Sequence, residues 1–169
     1  MLAAVAYVCQ SNNGKFNKLA LIKTLYVAER KSICETLNAM TGDSMLKYKH
    51  GPVLKNLHDA LRNRASVDFQ NEWNKHFKNP SEDDNNVYIE SLPDMDELSF
   101  ADRAFLDCAI NFVNSCPKGE LVNTTHDFPE WEAAKMRGSA IIDVADILKE
   151  YRKDLTVDEI AEIRKEIQG

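Results

Sequence analysis

Any chemistry in this chain would have to come from its four cysteines, its four histidines and its clustered carboxylates. A cysteine nucleophile needs a base beside it in space, and His50 or His126 could supply one to Cys9, Cys34, Cys108 or Cys116. Cys34, Cys108 and Cys116, however, fall on helical stretches with apolar patterning, where burial raises the thiol pKa and removes reactivity. The cysteines form no CxxC pair. His50 and His58 lie on separate elements and His76 and His126 are distant, so no zinc-ligand spacing arises. Glu82, Asp83 and Asp84 form a run on a polar loop and read as solvated surface, not as an acid–base pair. Asn13-Gly14-Lys15 lacks the first glycine and the following Ser or Thr of a phosphate-cradling loop, and it reads as a plain loop. The residues thus assign no catalytic group, cofactor or metal, and they point to a protein that acts by binding.

The net charge of −6 is unevenly spread: residues 1–80 carry 12 Lys and Arg against 6 Asp and Glu, whereas residues 81–169 carry 9 against 21. Such asymmetry can steer a charged partner, although two solvated faces of differing composition would give the same count. The apolar run Met1–Cys9 is too short to span a bilayer and lacks the basic flank of a secretory leader, so it reads as a first core helix and the cytosol as the compartment. A chain of 169 residues can bury roughly 70% of its unfolded surface as one domain.

The elements that must position these residues are mostly helices. Leu19 to Ala28 is apolar on nearly every side, with Lys23 an exception, which marks a central helix ending near Asn38. Turn residues follow at Thr41–Ser44, and Ser44–His50 then reads as a short extended segment with Met45, Lys47 and Lys49 opposite Leu46 and Tyr48. A new helix should begin at Gly51-Pro52, its apolar face made by Val53, Leu54, Leu57, Ala60 and Leu61. Val67–Phe69 and Val87–Glu90 are β-prone runs suited to a two-stranded wing with a long loop around Pro80–Asn86, part of which Trp73 and Phe77 tuck inward. Ser99 and Asp102 open a helix packed by Ala101, Phe105, Leu106, Ala109, Ile110, Phe112 and Val113 as far as Pro117. A short helix then runs from Glu120 to His126, and Pro129 starts another that carries Trp131. Ser139 caps Ile141–Leu148, and Thr156 with Glu159 forms a capping box for a last helix with Val157, Ile160, Ala161 and Ile167 inward. The expected fold class is mainly α, a single compact helical domain over residues 1–169 with a short β-hairpin or wing.

Helix, helix, short strand, helix and wing is also the order of a winged-helix DNA-binding regulator, with Val53–Arg64 as recognition helix offering Lys55, Asn56, His58, Arg62 and Arg64. Asp59 would pair with both Lys55 and Arg62 and neutralise that face, and the acidic second half would repel DNA.

Three segments carry a family likeness. Leu21-Ile22-Lys23-Thr24-Leu25-Tyr26 followed by Ala28 resembles the L-x-K-L-L-Y-x-A opening of the Panacea domain, the SocA-like family first noted in phage-associated GepA proteins. Thr41-Gly42-Asp43 and then Lys47-Tyr48-Lys49-His50-Gly51-Pro52-Val53 with Leu57 resembles its G-x-x-x-x-x-x-W-x-Y-G-P-V-x-x-x-L-Y segment. Leu121–His126 with Pro129, Trp131 and Ala134 resembles its closing L-x-x-x-T-H-x-x-x-x-W segment. Thr24 replaces the usual leucine, His50 the aromatic residue before Gly-Pro, and His58 a common tyrosine.

The resemblance implies an antitoxin that neutralises a cognate toxin by direct protein contact and, in some members, hands it to a protease. It points to Tyr48, Lys49, His50, Gly51, Pro52, His126 and Trp131 as partner-binding candidates, with Tyr48 and Lys49 foremost on the surface and a homodimer as a further partner. Each also has a plainer role: Gly51-Pro52 turns the chain, His126 caps a neighbouring turn, and Trp131 anchors the core with its indole N–H satisfied.

Overall fold

The computed structural model describes residues 1–79 and 84–169; Pro80, Ser81, Glu82 and Asp83, more than half of the polar loop and two of its three carboxylates, lie outside them. Among the described residues the chain is mainly helical with two small antiparallel sheets. Helix α1 (Leu2–Gln10) buries most of its length. Strand β1 (Lys15–Asn17) follows, so Lys15 opens a strand where a plain loop was expected. It leads directly into α2 (Lys18–Thr36), which Asn17 caps by accepting from the Ala20 amide. That helix ends where Leu37 takes a left-handed conformation, φ 61°, with its N–H on the Ile33 carbonyl.

Helix α2 is the central element expected, and its fully buried Leu21, Leu25 and Ile33 each contribute about 1.5–3 kcal/mol of hydrophobic stabilisation. It is not purely apolar, for Lys23, Thr24, Glu29 and Ser32 are buried with them. The lysine that interrupts the sequence pattern therefore points into the protein.

Strands β2 (Met45–Tyr48) and β3 (Gly51–Leu54) form a hairpin with Tyr48 opposite Gly51 and Lys49-His50 as its two-residue turn. The helix expected to begin at Gly51-Pro52 instead begins at Lys55, as α3 (Lys55–Ala60). The pre-proline restriction does exclude helix at Gly51, but the chain answers by doubling back as a strand. Gly51 has φ +88°, a conformation that favours glycine. The candidate recognition helix thus shrinks to six residues, with Val53 and Leu54 in a buried strand.

Val67–Phe69 is not a strand but the first turn of α4 (Val67–His76), because the Ser66 side chain accepts from the Phe69 amide and Asp68 lies in the first turn. The wing is accordingly different: β5 (Asn86–Ile89) pairs with β1 on one side and β4 (Phe77–Lys78) on the other. Trp73 and Phe77 are buried, as expected. Helix α5 (Phe100–Ser115) has the Ser99–Asp102 capping box and buries Phe105, Leu106, Ala109, Ile110 and Val113. Ala101 is exposed instead, and so is Cys108, while Cys116 is half-buried.

Helices α6 (Leu121–His126) and α7 (Pro129–Met136) fall where the sequence puts them. Ser139 does not cap a helix: its hydroxyl bonds the Ile141 amide and carbonyl, and Asp143 caps α8 (Val144–Tyr151) through the Ala145 amide. Residues 140–142 instead extend the hairpin, with the Lys47 amide on the Ala140 carbonyl and the Ile142 amide on the Met45 carbonyl. Helix α9 (Val157–Gln168) has its Thr156–Glu159 capping box, but only Ile160 is buried; Val157 and Ala161 are exposed.

Candidate functional site

The three sequence segments singled out above meet in one place. Lys23 projects from α2, wholly buried, and its Nζ donates to the Pro52 carbonyl at 2.8 Å. The Gly51 backbone lies against it so closely that a Cβ there would stand 2.7 Å from Lys23 Nζ, 2.7 Å from Thr125 Oγ1 and 3.4 Å from His126 Cδ2. Gly51 is therefore glycine twice over, for its positive φ and for the room its neighbours leave. Burial pushes the Lys23 amine down to about 7, so near neutrality it is only partly charged and acts mainly as a hydrogen-bond donor.

His126 lines the same side of Gly51 as Lys23. Its ring stacks on Trp131 with centroids 4.1 Å apart and planes 20° from parallel. Burial first, then the nearby Lys23 charge, lower its pKa, which favours the neutral imidazole. Its Nε2 is buried without a hydrogen-bond partner among the described residues. Trp131 is buried, yet its indole N–H also lacks a partner there, so the satisfied anchor expected from sequence is only half realised.

The hairpin carries the remaining candidates. Lys49 and His50 are exposed at its tip, Gly51 and Pro52 are buried beneath it, and Tyr48 is half-buried. Tyr48 meets His58 edge-on at 4.6 Å. Asp59 holds Lys55 at 2.8 Å and lies 3.4 Å from His58 Nδ1. The pairing of Asp59 with Lys55 is as expected, but no ion pair with Arg62 forms among the described residues. The Gly51-Pro52 end of the hairpin thus packs directly on Lys23 of α2 and on Thr125 and His126, while Tyr48 leans towards α3.

Two buried acids that the sequence reading did not single out support this frame. Glu29 accepts from the Thr41 amide at 2.8 Å, and burial pushes its carboxyl up to about 7. Asp43, two residues on, accepts from the Asn56 and Leu57 amides and so caps α3. Glu29 thereby fixes the Thr41-Gly42-Asp43 turn that aims the hairpin and α3. The second is Glu130, fully buried in α7, which accepts from the Tyr26 hydroxyl at 3.0 Å and pairs with Arg30 at 2.7 Å. The Arg30 guanidinium lies 4.3 Å from the ring centroids of both Phe128 and Tyr151, tying α2, α7 and α8 together. The only sequence signal for either acid was a charge on a stretch otherwise patterned as core.

The pattern of the family described as "Antitoxin SocA-like, Panacea domain" matches residues 21–132. The chain belongs to this family. The Panacea match opens two residues before Lys23 and closes one residue after Trp131, so it contains the whole of the converged site. The bridge of residues 140–142 to the hairpin and helices α8 and α9 lie beyond it. Comparison with curated proteins and with solved structures gave no match in either case. Among the described residues no helix is long and apolar enough to cross a membrane, and no three His, Cys, Asp or Glu side chains are grouped to hold a metal.

The cysteines differ in what they offer. Cys9 is buried and its thiol is pushed up to about 12, and burial also raises Cys34. Cys108 is exposed, which corrects its assignment as a small buried hydrophobe.

Proposed function

We propose that this chain is an antitoxin that acts as one unit in the cytoplasm and neutralises a cognate toxin by stoichiometric protein–protein binding, without catalysis. The surface we assign to the toxin is the hairpin tip with the adjoining α6–α7 segment. Lys49, His50 and Tyr48 would make contact, with His126 beside them, while Gly51, Pro52 and Trp131 would hold the tip in place. The observation that carries this reading is the convergence of all three family segments on Lys23, Gly51 and His126. A hairpin tip fixed from beneath in this way is pre-organised, so little ordering entropy opposes binding.

The test is to co-express the chain with the protein encoded beside it, in cells where that neighbour alone arrests growth. Growth should resume and the two proteins should co-purify, and Lys49→Glu with His50→Glu should abolish both effects while leaving the chain folded. Falling toxin levels that depend on a host protease would add the adaptor role. A neighbour that is harmless and does not co-purify would overturn the proposal.

A further inference from the structure

Helix α5 turns one flank to α2 and the core and leaves the other uncovered. On the uncovered flank Phe100, Ala104 and Cys108 follow one another at successive turns, an i, i+4 ridge, and all are exposed, Phe100 at 90%. Ala101 and Asn111 beside them are exposed as well. The ridge is thus one large aromatic ring followed by short side chains, over which another surface can approach the helix closely.

The charge around the ridge is mostly negative. The 3-10 turn before the helix exposes Asp94, Asp96 and Glu97, and Asp107 is exposed on the helix itself. Arg103 is the only basic residue between Lys78 and Lys118. Its guanidinium donates from Nη2 to the Met95 carbonyl at 2.7 Å and from Nε to the Leu98 carbonyl at 3.4 Å, so it offsets part of the charge of that turn, one cation against four exposed carboxylates. A second copy of this chain would set acid against acid here, and nucleic acid or an anionic membrane would be repelled. The geometry points to a second docking surface on α5, for a protein partner that offers an apolar socket for Phe100 inside a rim of Lys and Arg. Resting on the antitoxin reading, that partner is the toxin, held on a face distinct from the hairpin tip. An exposed aromatic in an otherwise small-residue ridge is the type of side chain that anchors such an interface, and the acids set its encounter rate.

The full chain and the protein encoded beside it serve as probe. In the complex, maleimide labelling of Cys108, followed by peptide mapping, should slow at least tenfold, and Phe100→Asp and Ala104→Arg should each weaken binding at least tenfold. Both side chains are exposed, so an unchanged thermal midpoint of the free variants checks that folding is intact. Asp96→Asn with Glu97→Gln should slow association and flatten its salt dependence, with dissociation little changed. If the complex forms but Cys108 labels at its free rate and Phe100→Asp binds like the parent chain, the α5 surface is refuted and the antitoxin reading survives. If Cys108 becomes protected in the isolated chain as its concentration rises, a second copy covers the ridge and the proposed occupant is wrong. If no complex forms with the parent chain, both readings fall.

Discussion

Replacing Lys23 by methionine removes the buried amine while keeping an unbranched side chain of similar length. Burial holds the amine at about 7, against 10.5 for an ordinary lysine. At pH 8 the unfolded chain therefore carries a proton at Lys23 that the folded chain has mostly shed. The unfolded state binds more protons, so the contribution of Lys23 to stability rises with pH through this range. The slope approaches about 1.4 kcal/mol per pH unit and is half that near the folded pKa, which gives about 2 kcal/mol between pH 7 and pH 9. The assay is urea unfolding of the parent chain and Lys23→Met at pH 7, 8 and 9, because the difference between them cancels the titrating groups that Lys23 does not influence, Cys9 included. The parent should gain about 2 kcal/mol relative to the variant over that span. A difference that stays flat would show a fully charged Lys23 throughout, and the account of a desolvated amine under the hairpin would be wrong.

Gly51→Ala places a methyl 2.7 Å from both Lys23 Nζ and Thr125 Oγ1 at φ +88°, and should cost about 2–4 kcal/mol in chemical denaturation. Glu130→Ala strands the Arg30 guanidinium and the Tyr26 hydroxyl; a loss of about 3–5 kcal/mol is expected, read as a lowered urea midpoint. Glu29→Gln keeps an acceptor for Thr41 but cannot ionise. Since the folded carboxyl is raised from 4.5 to about 7, the parent should lose about 2–3 kcal/mol relative to Glu29→Gln as pH rises from 4.5 to 7, and the loss should level off about one pH unit higher.

Most helices were legible because each announces its own boundary within a few residues. Ser99 with Asp102 and Thr156 with Glu159 close capping boxes that need no tertiary partner, and Pro129 starts α7 from its fixed φ. The misses came where two local signals competed. At Val67 the β-branched residue argued for a strand, but the Ser66 cap won and a helix formed. At Gly51-Pro52 the same restriction that bars a helix fits a hairpin strand equally well, and only the pairing of Tyr48 with Gly51 decides between them. Ser139 bonds its own Ile141, a local turn that mimics a cap in sequence.

The site was legible as three segments but not as a site. No spacing links Lys23, Gly51 and Thr125, because they are brought together by the packing of α2 against β3 and α6 and not by any one element. Glu29, Arg30 and Glu130 were hidden for a related reason, since a charge within an apolar pattern gives no hint of the partner that compensates it across the core.

The most direct test of the central claim is a titration of the purified toxin's own activity with this chain. A stoichiometric binder predicts residual activity that falls linearly to a breakpoint at a fixed molar ratio, recoverable on dissociation, with the complex isolated at that same ratio. Complete inactivation by a small fraction of an equivalent, persisting after the chain is removed, would mean turnover and would contradict the account.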